Sequence, residues 1–129
     1  MGKTKRVVER QLQQDPATLL AETIVKGIQE KKGKEIVIMD LKTTGSGIAD
    51  FFVICHADST TQVHAIANSV EDEVLKALGE KPVFQEGHAN AEWILLDYIN
   101  VVVHIFQKEQ RDFYGIEKFW ADAETKRIA

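Results

Sequence analysis

The chain holds one cysteine, Cys55, and two prolines among its 129 residues. A lone thiol excludes an intrachain disulfide framework and suits a reducing, cytoplasmic setting. No apolar run approaches the roughly 18 residues that a membrane span needs, and the N-terminus lacks the apolar stretch of a secretory signal. Basic charge is not in excess either: 16 Lys and Arg stand against 20 Asp and Glu, for a net charge of −4. A protein that grips naked RNA or DNA carries a basic patch, because phosphate contacts supply most of that affinity. Here only Lys3–Arg6 and Lys31–Lys34 are locally basic. The balance argues against DNA and fits a basic protein partner better.

Chemistry-bearing patterns are equally sparse. Of the four histidines, His56, His64, His88 and His104, none pairs at i,i+4, and the lone cysteine adjoins His56, so zinc spacing is missing. Cys55 and His56 resemble a nucleophile and its base only on paper, because neighbours on a strand point to opposite faces. Thr43–Gly47 is glycine-rich but lacks the Gly-Lys-Ser/Thr ending of a phosphate loop and leads into a strand. Ser59-Thr60-Thr61 opens a helix and reads as a cap. Asp40, Asp50, Asp58 and Asp97 lie near strand ends, yet no Asp-x-Asp or Asp-x-Glu pair shares a strand. No catalytic residue, metal site or cofactor is expected.

What the chain does have is apolar periodicity. Asp15-Pro16 opens a helix carrying Leu19, Leu20, Ile24, Gly27 and Ile28, with Gly33 as its stop. Glu35–Leu41 and Asp50–His56 read as buried strands around a Lys42–Gly47 turn. A long helix with Val63, Ile66, Ala67, Val70, Val74, Leu75 and Leu78 closes at Gly79. Pro82–Gln85 reads as a short edge strand. Phe113, Ile116, Phe119 and Trp120 mark a last helix against the sheet, interrupted by Gly115. The order α-β-β-α-β-β-β-α predicts an α/β (α+β) domain: a mixed sheet of about five strands with flanking helices. A single domain is expected over 15–123, with a leader at 1–14 and a tail at 124–129.

The densest apolar signal is Glu92–Trp120. Trp93–Tyr98 and Val101–Phe106 are rich in β-branched and aromatic residues and read as a hairpin turning at Ile99-Asn100. Alternation then gives a core face of Ile94, Leu96, Tyr98, Val101, Val103 and Ile105. The other face holds Trp93, Leu95, Asp97, Val102, His104 and Phe106. That mixture is too apolar for an ordinary solvated surface and too polar for a plain core, as on a surface that binds something. From physics alone, Trp93 in such a place fits a binding anchor and a core residue equally well.

Several stretches together resemble one family. They are Asp50-Phe-Phe-Val-Ile, Ser59-Thr-Thr-Gln62-Val, Glu86-Gly87, Glu92-Trp93-Ile-Leu-Leu-Asp97-Tyr98, Val101-Val-Val-His104-Ile-Phe106 and Tyr114-x-x-Glu117-x-x-Trp120. They are similar to the ribosomal silencing factors, also called Iojap or RsfS, over about Pro16 to Ala123. The resemblance implies a fold related to nucleotidyltransferases but without their catalytic carboxylates, and a role other than catalysis. It implies binding to the large ribosomal subunit through large-subunit ribosomal protein fourteen. That binding sterically blocks association with the small subunit and represses translation when nutrients are scarce. It also implies that the chain can form a homodimer. Carried over, the partner-binding residues are Trp93, Leu95, Asp97, Tyr98, Val102 and His104. Two departures stand out. Ile99-Asn100 replaces a glycine-containing turn, where a β-branched residue is poor at positive φ, and Thr61 stands where a basic residue is common. A small nucleotidyltransferase-like enzyme or nucleotide-binding protein is the alternative, on fold analogy alone.

Overall fold

The computed structural model describes residues 15–128. Helix α1 (Pro16–Glu30) starts with proline at its first position, where a missing N–H is harmless. The Asp15 carboxylate makes no capping bond. The left-handed position after α1 falls on Lys32 (φ 58°) rather than on Gly33. Gly33 serves space instead, since a Cβ there would collide with Ile28. Helix α2 (Thr60–Leu78) is capped by Ser59, whose Oγ accepts the Gln62 N–H at 3.2 Å, and it ends on left-handed Gly79 (φ 68°). The two helices approach closely at Gly27, where a Cβ would sit 2.7 Å from Val70 Cα. There the Ser69 hydroxyl donates to the Gly27 carbonyl at 2.7 Å.

The strands are β1 (Lys34–Asp40), β2 (Phe51–Ala57), β3 (Phe84–Glu86), β4 (Trp93–Asp97), β5 (Val101–Gln107) and β6 (Glu124–Arg127). They form one mixed sheet in the order β3-β4-β5-β2-β1-β6, parallel only between β2 and β5. The sheet has six strands rather than about five, because residues 124–127, expected in a tail, pair with β1. Their sequence Glu-Thr-Lys-Arg is exposed throughout and carries no apolar pattern to announce a strand. Charges on an edge strand also discourage further strand pairing.

The hairpin has the register read from the sequence: Trp93 faces Phe106, Leu95 faces His104 and Asp97 faces Val102. The Asn100 N–H donates to the Tyr98 carbonyl at 3.0 Å, closing a three-residue γ-turn around Ile99 (φ 74°). The Asp97 carboxylate accepts the Ile99 N–H at 2.7 Å and supports this strained position.

One sheet face lies under α1 and α2. Val53, Cys55, Ile94, Leu96, Val101, Val103 and Ile105 are all fully buried there. Burial pushes the Cys55 thiol up to about 12, so it stays protonated. His56 points to the opposite face, as strand alternation requires. On that outer face Val37, Met39, Phe52, Ile54, Val102 and Phe106 form a second, smaller core. Its roof is the C-terminal segment: α3 (Lys108–Tyr114), α4 (Ile116–Phe119) and the turn through Trp120 and Ala123. The single interrupted helix expected here is two short helices hinged at Gly115 (φ 57°). Ile116 and Trp120 pack inward, whereas Phe113 and Phe119 are 80% and 77% exposed.

Candidate functional site: the outer face of the sheet

Cross-strand partners share a face. Phe84 opposes Asp97 and Glu86 opposes Leu95, so β3 adds Phe84 and Glu86 to the row of Trp93, Leu95 and Asp97. Trp93, Leu95 and Asp97 are half-buried, and Phe84 is 52% exposed. This half of the outer face is open.

Three of the residues expected at the surface lie elsewhere. Tyr98 is 5% exposed on the helix-covered face, since alternation places it beside Leu96 rather than beside Asp97. Val102 and His104 do lie on the outer face, but at 6% and 5% exposure they are under the C-terminal roof. The alternation of β5 identifies the face; it cannot reveal that residues some fifteen positions later fold back over it.

His104 has a definite task inside. The Trp93 indole N–H donates to His104 Nδ1 at 3.1 Å. Indole is a donor only, so Nδ1 accepts and the ring proton sits on Nε2. That Nε2 is buried without a hydrogen-bond partner among the described residues. The ring stands edge-on to Phe52, 4.5 Å between centroids. Burial lowers the imidazole from 6.5 to about 4, keeping it neutral at physiological pH. His104 thus fixes the orientation of Trp93, whose ring also stacks on Phe106 (4.9 Å) and meets Tyr114 (4.8 Å). Tyr114 is 51% exposed. An aromatic series therefore runs from solvent at Tyr114 through Trp93 and His104 to Phe52 and Trp120.

Arg111 anchors the roof. Buried at 7% exposure, it donates through Nε and Nη2 to the Glu117 carboxylate (2.8 and 3.1 Å), bridging the two short helices. Its Nη1 donates to the Glu35 carbonyl (2.8 Å) and to His56 Nδ1 (2.9 Å), tying the roof to β1 and β2. The hydrogen bonds from Arg111 hold the Glu117 carboxyl below its ordinary range. Burial, then the nearby guanidinium, holds His56 low.

The open half deepens into a cleft of about 400 Å³ lined by Glu86, Gly87, Ala89, Asn90, Glu92, Trp93, Leu95 and Tyr114. Gly87 (φ 94°) closes the loop onto β4, and a Cβ there would overlap the Trp93 carbonyl oxygen. The Ala91 N–H donates back to the Gly87 carbonyl at 2.9 Å and holds the loop shut. Glu86 and Glu92 were visible from sequence only as members of a family pattern. The one physical signal for this loop was the glycine at 87.

The fold and this surface define an α+β domain whose sheet is helix-covered on one side and half open on the other. No helix among the described residues is long and apolar enough to cross a membrane. Residues 13–129 match the sequence profile of the family described as "Ribosomal silencing factor during starvation". A ribosomal silencing factor RsfS of Halalkalibacterium halodurans is 41% identical over 109 residues, covering 84% of this chain and 92% of that protein. Its counterpart in Bacillus subtilis is 39% identical over 94 residues, covering 73% of this chain and 78% of the relative. A crystal structure of a Chromobacterium violaceum protein superposes with a TM-score of 0.77 at 32% identity, covering 83% of this chain and 88% of that one. The chain belongs to the ribosomal silencing factor family, which includes the plant proteins called Iojap.

Proposed function

We propose that the open half of the outer face docks on the large ribosomal subunit through large-subunit ribosomal protein fourteen. The docked protein occupies space that the small subunit needs, so the subunits fail to join and translation falls during nutrient limitation. The protein acts in the cytoplasm by occupancy and performs no chemistry. The observation that carries this reading is Trp93, partly exposed yet locked in orientation by His104 and Phe106, on the same face of β4 as Leu95 and Asp97. A large aromatic ring held rigidly at a surface loses little freedom when a partner covers it, and such residues dominate binding energies. The acidic balance of the chain favours a basic partner surface and speeds encounter with it.

The test is co-sedimentation with purified large subunits of the Trp93→Ala, Asp97→Lys double variant. Binding and the block on subunit joining should both vanish while the circular dichroism spectrum stays native. Retained binding by a folded double variant removes this face from the mechanism.

A further inference from the structure

We infer that the cleft between β3, β4 and Tyr114 is a receptor for one cationic side chain, a lysine or arginine projecting from the docking partner. The inference rests on the docking reading and names what enters the surface. Three observations meet at this place. One wall is aromatic: the Trp93 and Tyr114 rings pack on each other, 4.8 Å between centroids, and Tyr114 is half exposed. Glu86 and Glu92 line the same cleft, and neither forms an ion pair among the described residues. Among the described residues no cation stacks on these rings; the one such contact is Lys42 over Phe51.

Aromatic faces attract a cation through their quadrupole, and flanking carboxylates add charge-assisted hydrogen bonds. An anionic or purely apolar occupant would meet two uncompensated carboxylates here. The cleft is preformed rather than opened by the ligand, because the Gly87–Ala91 turn and the Trp93–His104 bond fix its loop and its wall. A long side chain that enters it gives up its rotamer freedom against an already rigid site. Electrostatic complementarity of this kind sets register and partner choice more than gross affinity.

The experiment measures the dissociation constant for large ribosomal subunits across a salt series. It uses the wild-type chain, the Glu86→Gln, Glu92→Gln double variant, and the Trp93→Ala, Asp97→Lys variant as reference. Both glutamates are exposed, so the isosteric double variant should fold normally. Binding by the glutamine variant should weaken about tenfold or more at low salt, with a shallower salt dependence. Tyr114→Leu should weaken binding without changing the salt slope. If the glutamine variant binds with wild-type affinity and slope while the reference variant fails, the cation receptor is overturned and the docking face stands. If the reference variant also binds normally, the docking face and the receptor fall together.

Discussion

Across β5, β2 and β1 the outer sheet face is roofed by the chain's own C-terminal segment, while across β3 and β4 the same face meets solvent. Phe106, in the roofed half, is fully buried; Phe84, in the open half, is 52% exposed. Both positions lie on strands of one sheet and one facing, so the strand pattern cannot tell them apart. What separates them is a tertiary event, the return of residues 108–123 over the sheet and their capture by Arg111. The roofed half should therefore govern stability and the open half partner binding, with Trp93 and His104 joining the two.

The sharpest way to break that division is Phe106→Ala against Phe84→Ala. Removing a fully buried phenylalanine should cost about 3–5 kcal/mol in denaturant unfolding. Phe84→Ala should change stability by only about 0.5 kcal/mol, yet weaken large-subunit binding. Equal stability losses would erase the distinction between the halves.

Acid offers a second test of the roofed half. Folded His104 takes up its proton only near about 4, whereas in the unfolded chain it does so near 6.5. Between those values the unfolded state binds more protons, so stability must fall as pH drops from about 6.5 towards 4. The displacement corresponds to roughly 3 kcal/mol by the usual conversion. His56, also held low, contributes in the same direction. A His104→Gln variant should show a flatter stability profile over that window in urea titrations, and an unchanged slope would show that the ring is not sealed.

Two smaller effects sharpen the frame around the site. Gly27→Ala should destabilise by about 1–3 kcal/mol despite the better helix propensity of alanine, because the added Cβ meets the Val70 backbone. Ile99→Gly should raise thermal stability slightly, by under about 1 kcal/mol. The positive φ costs isoleucine more than glycine loses in unfolded-state entropy. Destabilisation there would mean that the γ-turn is not strained.

The legible parts of this chain were those with internal periodicity. The β-branched and aromatic alternation of Trp93–Phe106 fixes its own register, because a one-residue slip would invert every side chain. Ser59, Gly79 and the apolar stripe of α2 likewise announce their helix. The illegible parts depend on contacts distant in sequence. Glu124–Arg127 is polar at every position and is a strand only because β1 offers an unpaired edge. His104 read as a displayed imidazole because nothing in its own strand reports the Trp120 and Ile116 packing above that face. Tyr98 is different: its parity already placed it in the core, and the family pattern alone put it among the contacts.

Hydroxyl-radical footprinting of the full chain, alone and bound to large subunits, tests the central proposal most directly. Phe84, Trp93 and Tyr114 should become protected, while Leu75 on α2 and Ile48 in the β1–β2 turn, both exposed apolar residues away from the site, should stay as reactive as before. Protection of Leu75 or Ile48 with Trp93 unchanged would contradict docking through the open half of the sheet.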